Sequence, residues 1–148
     1  MIRRIVPDIV HDQVLHTLRA DERVLEAARR MKEWDTGAAI IVDDKGHLEG
    51  ILSERDIARR VVACGLDPAT TLIAEVMSRN PCTVAPNDTG FEALEIMRER
   101  HYRHLPVVDG GRVIGMLSVR DLYEIMKGDL EHNIRETEAF VFGDRYGA

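Results

Sequence analysis

The chain repeats itself, and this limits its possible folds more than any other feature. Gly50-Ile51-Leu52-Ser53-Glu54-Arg55-Asp56 returns as Gly115-Met116-Leu117-Ser118-Val119-Arg120-Asp121, a shift of 65 with five of the seven positions identical. Upstream, a shift of 66 aligns Thr17 with Thr83, Glu26-Ala27 with Glu92-Ala93, Met31 with Met97, Glu33 with Glu99 and Val42-Asp43 with Val108-Asp109. The shift changes between Asp43-Asp44-Lys45-Gly46 and Asp109-Gly110-Gly111, where a hairpin turn absorbs one residue cheaply. A fixed period of this length marks a duplicated supersecondary unit whose copies share a core.

Each unit reads as extended segment, helix, strand, strand, helix, an α/β (α+β) pattern. Thr89-x-x-Glu92 is a capping box, after which Phe91, Leu94 and Met97 recur at helical spacing, as do Val24, Ala27, Ala28 and Met31 after Asp21. Ala38 to Val42 and Leu105 to Val108 are apolar runs too short for helices, and turn residues separate them from Leu48 to Leu52 and Val113 to Leu117. Two β-hairpins follow. Ser53 and Ser118 stand where a strand hands over to a helix, and each has an Asp three residues later to face the positive helix end. Gly65 and Gly128 are the expected C-terminal stops. The spacing predicts a first repeat over 8–66, a second over 74–128, and a C-terminal helix and tail over 129–148, together one module spanning 1–148. The linker is Asp67-Pro68-Ala69-Thr70-Thr71, with Val10 and Val76 matched at the 66 shift. Phe140, Val141 and Phe142 are expected to pack on the body or on a second subunit.

Both repeats resemble the CBS domain family, named for cystathionine β-synthase, whose repeats end in a Gly-hydrophobic-hydrophobic-Ser/Thr-x-x-Asp motif; His104-Leu105-Pro106-Val107-Val108-Asp109 is also similar to the family's strand before the hairpin. The resemblance covers roughly residues 8 to 128. It implies two repeats packed about a pseudo-twofold axis into one Bateman module with two related clefts, assembled into a homodimer. It also implies a regulatory role: an adenosine-type ligand (AMP, ADP, ATP, NAD or S-adenosylmethionine) signals through the module to an effector protein. No cofactor is required.

The residues suit such a ligand on physical grounds. A helix N-terminus beginning at Ser53 or Ser118 offers unpaired N–H groups to a phosphate. Arg55 and Arg120 add charge-assisted bonds. Asp56 and Asp121 can each accept two hydroxyls of a ribose. Ile40 and Pro106 are candidates to cover the faces of adenine. The resemblance places Thr17, Ala38, Thr83 and His104 in the same nucleotide-binding set, His104 being readable either as a phosphate or base contact or as a histidine at the core edge. Ser53 with Asp56, and Ser118 with Asp121, would equally serve as helix caps in a ligand-free dimerisation or scaffold module. Arg103-His104 aligns with Gly37-Ala38, so polar groups beside a cleft look richer in the second copy.

Composition excludes several other functions. The 148 residues are 45% hydrophobic and 31% charged, enough for a folded core, and the net charge of −6 opposes nucleic-acid binding. Arg98, Arg100 and Arg103 therefore read as a solvated face, and Trp34 as a core or dimer contact. No apolar run reaches bilayer length, and Pro7 and Asp8 interrupt the start too early for a secretory segment, so a cytoplasmic protein is expected. Cys64 and Cys82 form no C-x-x-C pair, and His101 with His104 lacks further ligands at metal spacing. The three serines and two cysteines fit no nucleophile signature, and both glycine-rich phosphate-loop patterns are absent, so no catalytic residues are expected.

Overall fold

The computed structural model describes residues 2–146, and side chains through residue 139. In the first half β1 (Thr17–Leu18) leads to α1 (Val24–Trp34), the hairpin of β2 (Ala38–Val42) and β3 (Leu48–Ser53), and α2 (Glu54–Asp56), which continues as a π-helical stretch over Ile57–Val62. The second half runs α3 (Ile73–Val76), β4 (Ser78–Arg79), α4 (Gly90–Arg100), β5 (His104–Asp109), β6 (Arg112–Ser118) and α5 (Val119–Tyr146). Strands β1 to β4 form one sheet in that order, with β1 parallel to β2 and the other pairs antiparallel. β5 and β6 form a second hairpin, flanked by a parallel bridge from Val84 to Val107 where the first half has β1.

The hairpins are near copies. Both shift register by a bulge after the fourth residue of their first strand, at Ile41/Val42 and at Val107/Val108. Their turns differ by the one residue the alignment required. Gly110 and Gly111 both sit at positive φ in a tight two-residue turn. In the longer turn the Asp43 carboxylate accepts from Lys45 and His47 backbone N–H groups at 2.8 and 2.9 Å. Ile40, Val42 and Val113 are buried against one another, with Leu48, Val108 and Met116 around them, so the two hairpins close face to face.

Each half has its own apolar core, filled partly by the other half's leading segment. Ile5 and Val10 are buried among Val84, Ala93, Met97, Leu105, Leu117 and Leu122 of the second half. Reciprocally, Ile73, Val76 and Met77 are buried among Leu18, Val24, Met31, Leu52 and Val61 of the first. The backbone bonds are equivalent pair for pair: Ile5 N–H donates to the Asp88 carbonyl at 2.8 Å and Ile73 N–H to the Glu22 carbonyl at 2.9 Å. This register corrects the match of Val10 with Val76. Ile5 corresponds to Ile73, and Val10 to Met77, because Val10 N–H reaches back five residues to Ile5 whereas Met77 N–H reaches four to Ile73. The wider turn over Ile5–Ile9 holds the extra residue.

The helix expected after Thr89 is present, with Gly90, Ala93 and Met97 on its buried face and Phe91 66% exposed. One further expectation fails for a local reason. The stop expected at Gly128 does not occur, and α5 runs through it without a break. Gly128 disfavours a helix by only about 1 kcal/mol relative to Ala. The next turn is anchored, since Arg3 Nε donates to Asp129 Oδ2 at 3.1 Å. Gly65, at φ +70°, does end its helix. The expected packing of Phe140, Val141 and Phe142 lies outside the described side chains. Among the described residues no helix is long and apolar enough to cross a membrane.

Candidate functional site

Each hairpin ends on its motif serine, and a helix starts there. Ser53 Oγ accepts from Asp56 N–H at 3.1 Å while Asp56 Oδ2 accepts from Ser53 N–H at 3.0 Å. Ser118 and Asp121 repeat the arrangement at 3.1 and 2.9 Å. These reciprocal caps explain the Ser-x-x-Asp spacing, because the third residue of a helix is the one whose side chain reaches back to the cap N–H. One oxygen of each carboxylate is committed to the cap. The other Asp56 oxygen lies 3.7 Å from Arg60 Nε, whereas Ile125 stands at the position corresponding to Arg60 in the second copy.

The motif glycines have a packing role. A Cβ on Gly50 would stand 2.7 Å from the Ser78 carbonyl oxygen, and one on Gly115 would stand 2.8 Å from Gln13 Oε1. Neither glycine has positive φ, so close approach alone requires them. The approaching groups differ. β4 pairs with β3 through backbone, Ile51 opposite Ser78. At the equivalent Met116 a side chain does this work: Gln13 Nε2 donates to the Met116 carbonyl at 2.9 Å and Gln13 Oε1 accepts from its N–H at 2.7 Å. A primary amide has one donor face and one acceptor, enough to imitate a strand edge.

Two clefts flank the paired hairpins. The first, about 490 Å3, is lined at its base by Ala38, Ile51, Ser53 and Asp56, and at its mouth by Arg55, Arg60, Tyr102 and Arg103. The second, about 340 Å3, is lined by Ala38, Met116, Ser118, Arg120 and Asp121, and closed by Gln13 to His16. His104 lines both. The first strand residue of each hairpin faces the motif serine of the same hairpin, Ala38 opposite Ser53 and His104 opposite Ser118. Burial pushes the His104 imidazole below the usual histidine range and Arg103 adds to this, while Asp121 and Glu54 pull the other way. A third cavity of about 770 Å3 opens between α1, α2 and the start of α5.

The structure thus brings Ala38, Ser53, Arg55, Asp56, His104, Ser118, Arg120 and Asp121 to the clefts. Four other residues named from the sequence are not part of either lining. Ile40 is fully buried between the hairpins, Pro106 is buried opposite Met116, Thr17 pairs with Ile40 in the sheet, and Thr83 precedes the Val84 bridge. Arg98, Arg100 and Arg103 are all exposed, as expected of a solvated face, and Arg98 pairs with Glu95. Arg100, His101, Tyr102 and Arg103 belong to the second repeat but line the cleft of the first repeat's motif. Polar enrichment therefore lies beside the first motif rather than the second. Sequence reasoning missed Gln13, His16, Arg60 and Ser78. His16 stacks on Trp34 with ring centroids 4.3 Å apart, at the edge of the second cleft. Only the 66-residue shift, applied to Ser78, pointed to the Gln13 region.

The model of the CBS domain family matches residues 3–63 and 73–128. A CBS domain-containing protein of Arabidopsis thaliana, CBSCBSPB2, is 41% identical over 103 residues, covering 70% of this chain. The chain spans only 19% of that relative's length. Among solved structures, a protein with CBS domains from Burkholderia ambifaria MC40-6 superposes with a TM-score of 0.79 at 32% identity, covering 84% of this chain and 94% of its own. The CBS domain pair of protein MJ0100, solved in complex with 5′-methylthioadenosine and S-adenosyl-L-methionine, superposes with a TM-score of 0.78 at 27% identity, covering 87% and 99%.

Proposed function

Since this chain belongs to the CBS domain family and carries the domain twice, we propose that it is a non-enzymatic regulatory module that binds an adenosine-type nucleotide and signals to a partner protein. The observation that carries this reading is the duplicated cleft, in which a motif serine, arginine and aspartate from one repeat face the hairpin and helix end of the other. A ligand there touches both halves, so its binding energy depends on how they are packed, which is the condition for coupling to a partner. The cap bonds do not preclude the sugar contact, because a carboxylate has about four acceptor sites and each cap uses one. The MJ0100 pair supports an adenosine-containing ligand. Both cleft volumes fall in the ~300–1,000 Å3 range of small-molecule sites.

We also infer a homodimer, supported by the exposed Phe91 and Leu130, which line an apolar groove between α4 and α5. Calorimetry of the full chain with AMP, ADP, ATP, NAD and S-adenosylmethionine tests the ligand reading. Saturable binding that Asp121→Ala or Asp56→Ala removes, with the oligomer intact, is the expected result. Absence of binding by all five would leave the capping role alone, and with it a ligand-free scaffold.

A further inference from the structure

The two clefts are related by the duplication, yet they differ in charge. Arg55, Arg60, Arg100 and Arg103 line the first against the carboxylates of Glu54 and Asp56. Arg120 alone lines the second, against Asp35 and Asp121. The difference arises at matched positions. After α4 the chain reads Arg100-His101-Tyr102-Arg103, and the corresponding segment after α1 reads Trp34-Asp35-Thr36-Gly37. Asp35 and His101 occupy the same left-handed position that ends each helix, at φ 54° and 58°, so the backbone presents an acid to one cleft where it presents an imidazole to the other.

Three of the first cleft's arginines have no internal counter-charge. Arg120 of the second cleft is likewise unpaired among the described residues, so the clefts are separated by the number of free guanidinium groups, three against one. Among the described residues Arg55, Arg100 and Arg103 form no ion pair and no side-chain hydrogen bond, though the chain carries a net charge of −6. Converging cations in an acidic protein repel one another until an anion joins them, and guanidinium groups match phosphate oxygens in geometry. The first cleft is also the roomier of the two.

We propose that the first cleft takes an adenosine ligand bearing two or more phosphates, and that the second admits only a nucleoside without net negative charge. This rests on the nucleotide reading above and specifies it cleft by cleft. Calorimetry of the full chain with adenosine, AMP, ADP and ATP tests it, using wild type, the double variant Arg100→Ala/Arg103→Ala, Arg120→Ala, and Arg98→Ala as a control on the same helix. Affinity is expected to rise from AMP to ATP, and the double variant to lose about tenfold or more for ATP while keeping its adenosine affinity, which also reports that it is folded. Arg98→Ala is expected to match wild type. Adenosine binding without any gain from added phosphates overturns the charge division alone, as does ATP affinity lost in Arg120→Ala but kept in the double variant. Failure of all four compounds to bind wild type removes the nucleotide reading and this division with it.

Discussion

Gly50→Ala is the most direct probe of why the motif begins with glycine. The added methyl would stand 2.7 Å from the Ser78 carbonyl oxygen and 2.8 Å from Met77 Sδ, where 3.4–4 Å is ordinary contact. The carbonyl belongs to β4 and cannot swing away by side-chain rotation, so the strand must retreat by more than about 0.5 Å and stretch its pairing with Gly50 and Ile51. Overpacking of this kind costs about 1–3 kcal/mol. Restricting the unfolded chain returns about 0.4–1 kcal/mol. The net destabilisation is about 1–2 kcal/mol, which in a chain of this size lowers Tm by roughly 3–6 °C. Urea unfolding followed by circular dichroism measures it. Gly115→Ala supplies an internal comparison, since its close neighbours are the amide end of Gln13 and a Val10 methyl, both side-chain atoms able to yield. It should cost less than Gly50→Ala. If Gly50→Ala is as stable as wild type, or less damaging than Gly115→Ala, the close-approach explanation of the motif is wrong.

Three other outcomes are expected. Gly128→Ala, whose Cβ would meet nothing within 4 Å in the middle of α5, should stabilise the fold by about 0.5–1 kcal/mol in urea unfolding. Thr89→Ala removes the cap that accepts from Glu92 N–H at 3.2 Å and should cost about 0.5–2 kcal/mol in the same assay. His104, held neutral by burial, has a folded pKa below its ordinary 6.5, so the unfolded chain binds its proton first and stability is lost as pH falls below 6.5. His104→Asn should flatten that part of the profile when urea midpoints at pH 7.5 and pH 5.5 are compared, and an unchanged slope would show that this imidazole is not its source.

Local patterns were legible in the sequence and distant ones were not. The hairpins were readable because apolar runs of four or five residues bounded by Asp and Gly have few alternatives, and the caps because Ser-x-x-Asp and Thr-x-x-Glu fix their own geometry. The exposure of Phe91 was not legible, because three residues at helical spacing define a stripe without saying which flank of it faces inward, and the small Gly90 and Ala93 take the contact. That the exposed Arg100 to Arg103 segment also borders the first motif was not legible, since 47 positions separate Arg103 from Asp56. Gln13 carries no motif of its own, and only the repeat shift from Ser78 points to its neighbourhood. Its role is to imitate a strand edge, and that appears only when the partner strand is in place.

The reciprocal lending of Ile5 and Val10 to one half, and of Ile73 and Met77 to the other, has a consequence for assembly. Neither half expressed by itself would contain the plug for its own interior, so separate fragments should stay loose until mixed and then complement each other. The hydrogen-bonded turn from Asp67 to Thr71 lies in the connection that lets one molecule make this trade. Trimming that connection would drive the trade between molecules, producing an interlocked pair through the same contacts that close the monomer.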